Sequence, residues 1–156
     1  WKNKPQLLTL LIESVSKGGN VLLNVGPTGR GAFDPRVDKA LAEMGEWMAY
    51  NSRAIYECTQ APEGFTAPPN TVLTYNPKSK RLYLHLLNYP TKNLLLKDFK
   101  YKIKYAQFLH DASEIELTEP YSHWMIEQEF GENDINLVLP VTKPDVEIPV
   151  IELFLK

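Results

Sequence analysis

Lys17-Gly18-Gly19-Asn20-Val21-Leu22-Leu23-Asn24-Val25-Gly26-Pro27-Thr28-Gly29-Arg30-Gly31 holds a short, almost wholly apolar run between two glycine clusters. Such a run, Asn20 to Val25, reads as a strand buried on both faces, the kind found in parallel sheets. Before it, Leu7, Leu8, Leu11, Ile12 and Val15 fall on one helical face, with Pro5 suited to a first turn. Gly18-Gly19 then stops that helix, because glycine takes the left-handed cap conformation cheaply. After it, Gly26 to Gly31 is a loop by composition. A second helix is expected from Asp34 as N-cap and Pro35 at the first helical position, running to Asn51 or Ser52. Its inward face would be Val37, Leu41, Met44 and Met48, with Trp47 beside them. Helix, buried strand, loop, helix is the rhythm of a βα-repeat fold.

One buried parallel strand with two helices can neither cover both its faces nor pair both its edges. The first 57 residues therefore read as the tail of a larger α/β domain. From Cys58 the grammar changes. Pro62, Pro68, Pro69 and Pro77 punctuate the chain, and short strand candidates recur at turn-separated intervals. They are expected at Val72–Tyr75, Arg81–Leu87, Asn93–Leu96, Ile103–Leu109, Ile115–Leu117, Trp124–Ile126, Ile135–Leu139 and Val146–Leu155, with Asn76 to Lys80 as a hairpin turn. That density of short strands predicts an antiparallel β-sandwich over residues 58–156.

The whole chain has 156 residues, 44% of them hydrophobic and 23% charged, which argues against disorder, collagen and coiled coil. A net charge of -2 supplies no positive field for nucleic acid, and no apolar stretch is long enough for a membrane span. The single cysteine, Cys58, cannot form an internal disulfide. The N-terminal stretch lacks the pattern of a signal peptide. A chain opening at Trp1 reads as processed, trimmed or a piece of something longer.

Chemistry-bearing patterns are sparse. The loop after Val25 has the spacing G-x-x-G-x-G rather than G-x-G-x-x-G, with no Gly-Lys-Ser/Thr. Asp34 also places a carboxylate where a phosphate would sit, so nucleotide binding is disfavoured. At the C-terminal end of a barrel strand, the same loop would border a substrate pocket. Asp34 with Asp38, and Glu43 with Glu46, have helical spacing, but such pairs usually form a solvated face. His85, His110 and His123 stand in no zinc-binding spacing, so no metal site is expected. Cys58 has no neighbouring histidine or cationic cluster and reads as an inert thiol. The second half is rich in aromatics, among them Tyr75, Tyr83, Tyr89, Tyr101, Tyr105, Phe108, Tyr121, Trp124, Phe130 and Phe154. Most should fill the core, and exposed ones could stack on sugars.

The run from Leu10 through Ser14-Val15-Ser16-Lys17-Gly18-Gly19-Asn20-Val21-Leu22-Leu23-Asn24-Val25-Gly26-Pro27-Thr28 closely resembles α-L-fucosidases of glycoside hydrolase family 29. A second segment, Gly45-Glu46-Trp47-Met48-Ala49-Tyr50-Asn51-Ser52-Arg53-Ala54-Ile55-Tyr56, is similar to the one that follows it in that family. Cys58 to Pro62 and Tyr105 to Asp111 resemble the bacterial branch. The resemblance implies that Asn20–Val25 is the last strand of a (β/α) barrel and that a β-sandwich follows. It further implies a retaining exo-hydrolase that removes terminal α-L-fucose from oligosaccharides or glycoconjugates without a cofactor. In that chemistry an aspartate attacks and a separate carboxylic acid protonates the leaving oxygen.

In the family both carboxylates lie upstream of this segment, so no catalytic residue maps onto this chain. The partners implied are the fucosylated substrate and the missing N-terminal barrel portion, with neither nucleic acid nor membrane. Asn24 and Arg30 are the candidate substrate-binding side chains at the barrel rim. The alternative is that Asn24 ties the loop backbone and Arg30 faces solvent. Trp1 is a further candidate for stacking on substrate. The rival function is a non-catalytic carbohydrate-binding or scaffold module.

Overall fold

Helix α1 (Lys4–Ser16) begins where Asn3 and Gln6 cap each other, each side chain meeting the other's backbone N–H, with proline in the first turn. It ends in a Schellman turn: Gly18 N–H donates to Val15 and Gly19 N–H to Ser14, both at 2.9 Å. Gly18 has φ +74°, which favours glycine, and a Cβ on Gly19 would sit a tight 3.1 Å from the Ser14 carbonyl oxygen. Helix α2 (Pro35–Asn51) starts at Asp34 and runs into a 3₁₀ turn (Ser52–Ala54). These features belong to a computed structural model, which describes residues 2–120 and 130–156. Trp1, Tyr121, His123 and the strand expected at Trp124–Ile126 lie outside the described residues.

The strands are β1 (Thr71–Asn76), β2 (Arg81–Leu86), β3 (Asn93–Leu96), β4 (Ile103–Phe108), β5 (Glu116–Thr118), β6 (Ile135–Val138) and β7 (Val150–Leu155). They form a four-stranded sheet, β1-β2-β7-β4, and a three-stranded sheet, β3-β6-β5, with every pairing antiparallel. Asn76 builds the first hairpin turn, its side-chain oxygen accepting from the Lys78 and Ser79 N–H groups. The last strand was expected from Val146 but pairs only from Val150. Pro149 lacks an N–H to donate, and Ile148 sits at φ +45°, which breaks an extended run.

Both sheets contribute to one apolar core. Leu82, Leu84, Leu86, Ile151 and Leu153 come from the larger sheet, and Leu94, Leu96, Ile135 and Leu137 from the smaller. The residues that alternate with the leucines of β2 do not reach solvent as a half-exposed sheet would have them. Tyr83, His85 and Val150 are buried under the helices, and a second cluster joins Leu8, Ile12, Val15, Trp47 and Ile55 to that outer face. Trp47 was expected beside the inward stripe of α2 and instead anchors it. Its indole N–H donates 2.6 Å to the Glu147 carbonyl, while Leu41, Met44 and Met48 are only half-buried.

Asn20–Val25, expected as a buried strand, has no strand partner among the described residues. Leu22 is 96% exposed and Leu23 and Asn24 are also exposed. The segment is apolar enough for a sheet interior, but no strand among the described residues lies beside it to accept its hydrogen bonds.

Candidate functional site

The loop that follows this segment closes on itself. Thr28 N–H donates to the Ala32 carbonyl at 2.8 Å, its hydroxyl donates to the same oxygen at 2.9 Å, and Gly31 N–H returns to Thr28. Gly31 has φ +78°, a conformation that a side chain would strain. Asn24 was the candidate for tying this backbone, but among the described residues the loop-closing side chain is that of Thr28. The turn separates the two candidate binding residues. Asn24 lines a groove of about 500 Å³ with Leu7, Leu23, Val25, Val37 and Leu41, whereas Arg30 is exposed and lies outside that lining. The structure thus brings Asn24, itself exposed, to the rim of a concave surface that Arg30 does not line.

At the mouth of the loop, Asp34 caps α2 by accepting from the Arg36 N–H at 2.9 Å. The Arg36 guanidinium grips both carboxylate oxygens, at 2.9 and 2.7 Å. These hydrogen bonds hold the Asp34 carboxyl well below its usual range, at about 2. A carboxylate so committed has no proton to give near neutral pH. Asp38 and Glu46 lie exposed on the helix surface, and the half-buried Glu43, which also lines the groove of Asn24, sits 3.9 Å from Lys39. No pair on α2 has the environment of a catalytic acid and its partner.

His85 is fully buried. Its Nε2 lies 2.9 Å from the Thr74 hydroxyl, which itself donates 2.7 Å to the Ala54 carbonyl. Burial lowers the His85 pKa to about 3, so the ring is neutral. His110 lies beside Asp111, with 3.5 Å between Nε2 and Oδ2, at the turn after β4. Burial pushes the Cys58 thiol up to about 12, so the thiolate is negligible at neutral pH. Among the described residues, no three His, Cys, Asp or Glu side chains gather into a metal site, and no helix is long and apolar enough to cross a membrane.

Sequence reasoning missed a second polar cluster. Glu152 on β7 is 2% exposed and accepts from the Gln107 amide at 2.8 Å, with the Arg53 and Arg81 guanidiniums at 3.5 and 3.7 Å. The four side chains come from three strands and a turn, far apart in sequence. The only available signal was an alternation placing Glu152 opposite Ile151 and Leu153.

Comparison with known proteins bears on both regions. Residues 1–53 match the family model described as Alpha-L-fucosidase. The plasma alpha-L-fucosidase of Pongo abelii is 38% identical over 91 residues, covering 58% of this chain and 20% of that protein. Alpha-L-fucosidase isoenzyme 1 of Paenibacillus thiaminolyticus superposes on 100% of this chain with a TM-score of 0.86 and 29% identity, using 35% of its own length. A family 29 α-L-fucosidase of Bacteroides thetaiotaomicron, trapped as a covalent intermediate with 2-fluoro-fucosyl fluoride, covers 99% of this chain and 33% of its own. Its TM-score is 0.82 at 25% identity. The mixed helical and antiparallel-sheet fold is thus that of a portion of α-L-fucosidases. The chain spans about a fifth of the length of the curated relatives it matches.

Proposed function

We propose that this chain is the closing segment of a (β/α) barrel followed by an antiparallel β-sandwich, taken from a retaining, exo-acting α-L-fucosidase. Residues 1–57 belong to the barrel in this reading and residues 58–156 form the sandwich. The observation that carries it is the Asn20–Val25 segment, largely apolar yet mostly exposed and without a strand partner among the described residues, inside the stretch that matches the fucosidase family. Parallel strands on either side would satisfy both its hydrogen-bonding edges, and α1 and α2 would then lie on the outside of the barrel. The full protein would hydrolyse terminal α-L-fucose from oligosaccharides or glycoconjugates through a covalent fucosyl-enzyme intermediate. The capture of such an intermediate in a structural relative supports that route.

This chain's own contribution is closure of the barrel and one wall of the pocket. Asn24, at the end of the segment and on its groove, is placed to hydrogen-bond a sugar hydroxyl or orient a carboxylate from a neighbouring strand. Arg30, outside that groove, would meet only the outer part of a larger glycan. The acid and the nucleophile come from elsewhere, since Asp34 is committed to Arg36, Asp38 and Glu46 are exposed, and Glu43 lies beside Lys39. The test is hydrolysis of an aryl α-L-fucoside. The isolated 156 residues should release no aryl alcohol, and the full-length parent should release it readily. Turnover by the pure fragment, or an inactive full-length parent, would overturn the reading. Exposed Tyr101 favours a second reading, a non-catalytic sugar-binding module. Binding of fucosylated glycans by this chain that Tyr101→Ala abolishes, together with an inactive parent, would establish it.

A further inference from the structure

Beneath the 3₁₀ turn, the outer face of the larger sheet carries a groove of about 510 Å³, within the range of small-ligand sites. Its floor is set by register. Tyr83, Glu152 and Gln107 stand side by side across β2, β7 and β4, with Arg81 and Phe154 one pair further along. The buried Glu152 carboxylate takes its one short hydrogen bond from Gln107. The two guanidiniums approach it only to 3.5 and 3.7 Å, well short of the 2.7–2.9 Å typical of a closed bidentate pair.

Arg81 is held in place by lying 3.8 Å over the Phe154 ring, which Tyr105 braces edge-on. Arg53 is largely exposed, and its Nε and Nη1 have no protein acceptor among the described residues. Glu57, the other acid on the rim, is neutralised by Lys78 at 2.5 Å. Two arginines therefore face a single carboxylate that is itself shielded from solvent. The groove offers an incoming molecule positive charge and guanidinium donors. Beside them the Tyr56 ring is exposed, a flat apolar face that matches the C–H face of a pyranose.

We propose that this groove binds an anionic saccharide: a sugar unit bearing a carboxylate or a sulfate, its anion on Arg53 and Arg81 and its ring against Tyr56. Glu152 acts as a positioning residue that holds the arginines toward the groove. The site stands on these residues alone, whatever reaction the rest of the parent performs.

The test is calorimetric or NMR titration of the full 156-residue chain with four probes. These are methyl β-D-glucuronide, methyl β-D-galactoside 6-sulfate, methyl β-D-glucoside and inorganic sulfate. At least one charged glycoside should bind with a Kd on the order of millimolar, and the neutral glycoside and inorganic sulfate about tenfold more weakly or worse. The tighter of the two charged glycosides identifies the acid group. Arg53→Gln should weaken that binding about tenfold with the melting temperature unchanged, since its side chain is mostly in solvent. Arg81→Gln gives a second reading should Arg53→Gln fail to fold. Equal binding of the neutral glycoside, equal binding of inorganic sulfate, no binding of either charged glycoside, or full affinity in a folded arginine variant would each overturn the proposal.

Discussion

Leu84 and Leu22 are both leucines in short runs rich in apolar residues, yet one is fully buried and the other 96% exposed. Leu84 lies in β2, which has a hydrogen-bonded strand on each side, an apolar core against one face and helices against the other. Leu22 lies in a segment with no strand on either side among the described residues. The contrast teaches that apolar sequence specifies a wish for burial, and only neighbours supply it. Strand β2 finds all of these neighbours among the described residues, the helices α1 and α2 included. The Asn20–Val25 segment does not, and the proposed barrel would provide them.

The largest effects should fall on the sheet side of this contrast. Leu84→Ala removes most of a fully enclosed side chain and should cost about 2–5 kcal/mol in urea unfolding. A loss below about 1 kcal/mol would mean the sheet core is looser than its burial indicates.

Acid should act next, through the buried His85. Its folded pKa of about 3 lies below the ordinary value of 6.5, so between those limits the unfolded chain binds a proton that the folded chain refuses. Stability should therefore fall as pH drops from 6.5 toward 3, by up to about 1.4 kcal/mol per pH unit from this group. His85→Gln should flatten that slope in pH-dependent melts, and an unchanged slope would locate the acid sensitivity elsewhere.

Trp47→Phe tests the seam between helices and sheet. It deletes the indole hydrogen bond to the Glu147 carbonyl and leaves that oxygen to find another partner, at about 1–3 kcal/mol. The smallest effect belongs to Leu22→Ser, which should change the stability of this chain by less than about 0.5 kcal/mol. A loss of core size there would show that the segment is packed in solution and would break the comparison at its weak end.

Local features were legible where a few adjacent residues determine them. Pro5 with Gly18-Gly19, and Asp34 with Pro35, bracket the two helices, and Asn76 to Lys80 marks the first hairpin turn. Asn93–Leu96 forms the strand expected from its pattern. Long-range consequences were not legible. The burial of His85 and Tyr83 depends on helices laid over the outer face of the sheet, which nothing in the composition of β2 reveals. Asn20–Val25 has no strand partner among the described residues, and its composition shows only that it suits a sheet interior. For the candidate sites, the loop from Asn24 to Arg30 was visible as glycine-rich sequence, but which of its two polar residues borders a groove was not. The Glu152 cluster required the register of three strands, so no linear motif announces it.

The most direct test of the unpaired segment is hydrogen–deuterium exchange at the amides of residues 20–25, compared between the isolated chain and the full-length parent. These amides should exchange almost immediately in the isolated chain, while those of β2 and β7 stay protected, and should become protected in the parent as strand hydrogen bonds form on both edges. Protection of the segment in the isolated chain, or fast exchange in the intact parent, would contradict its place as a barrel strand.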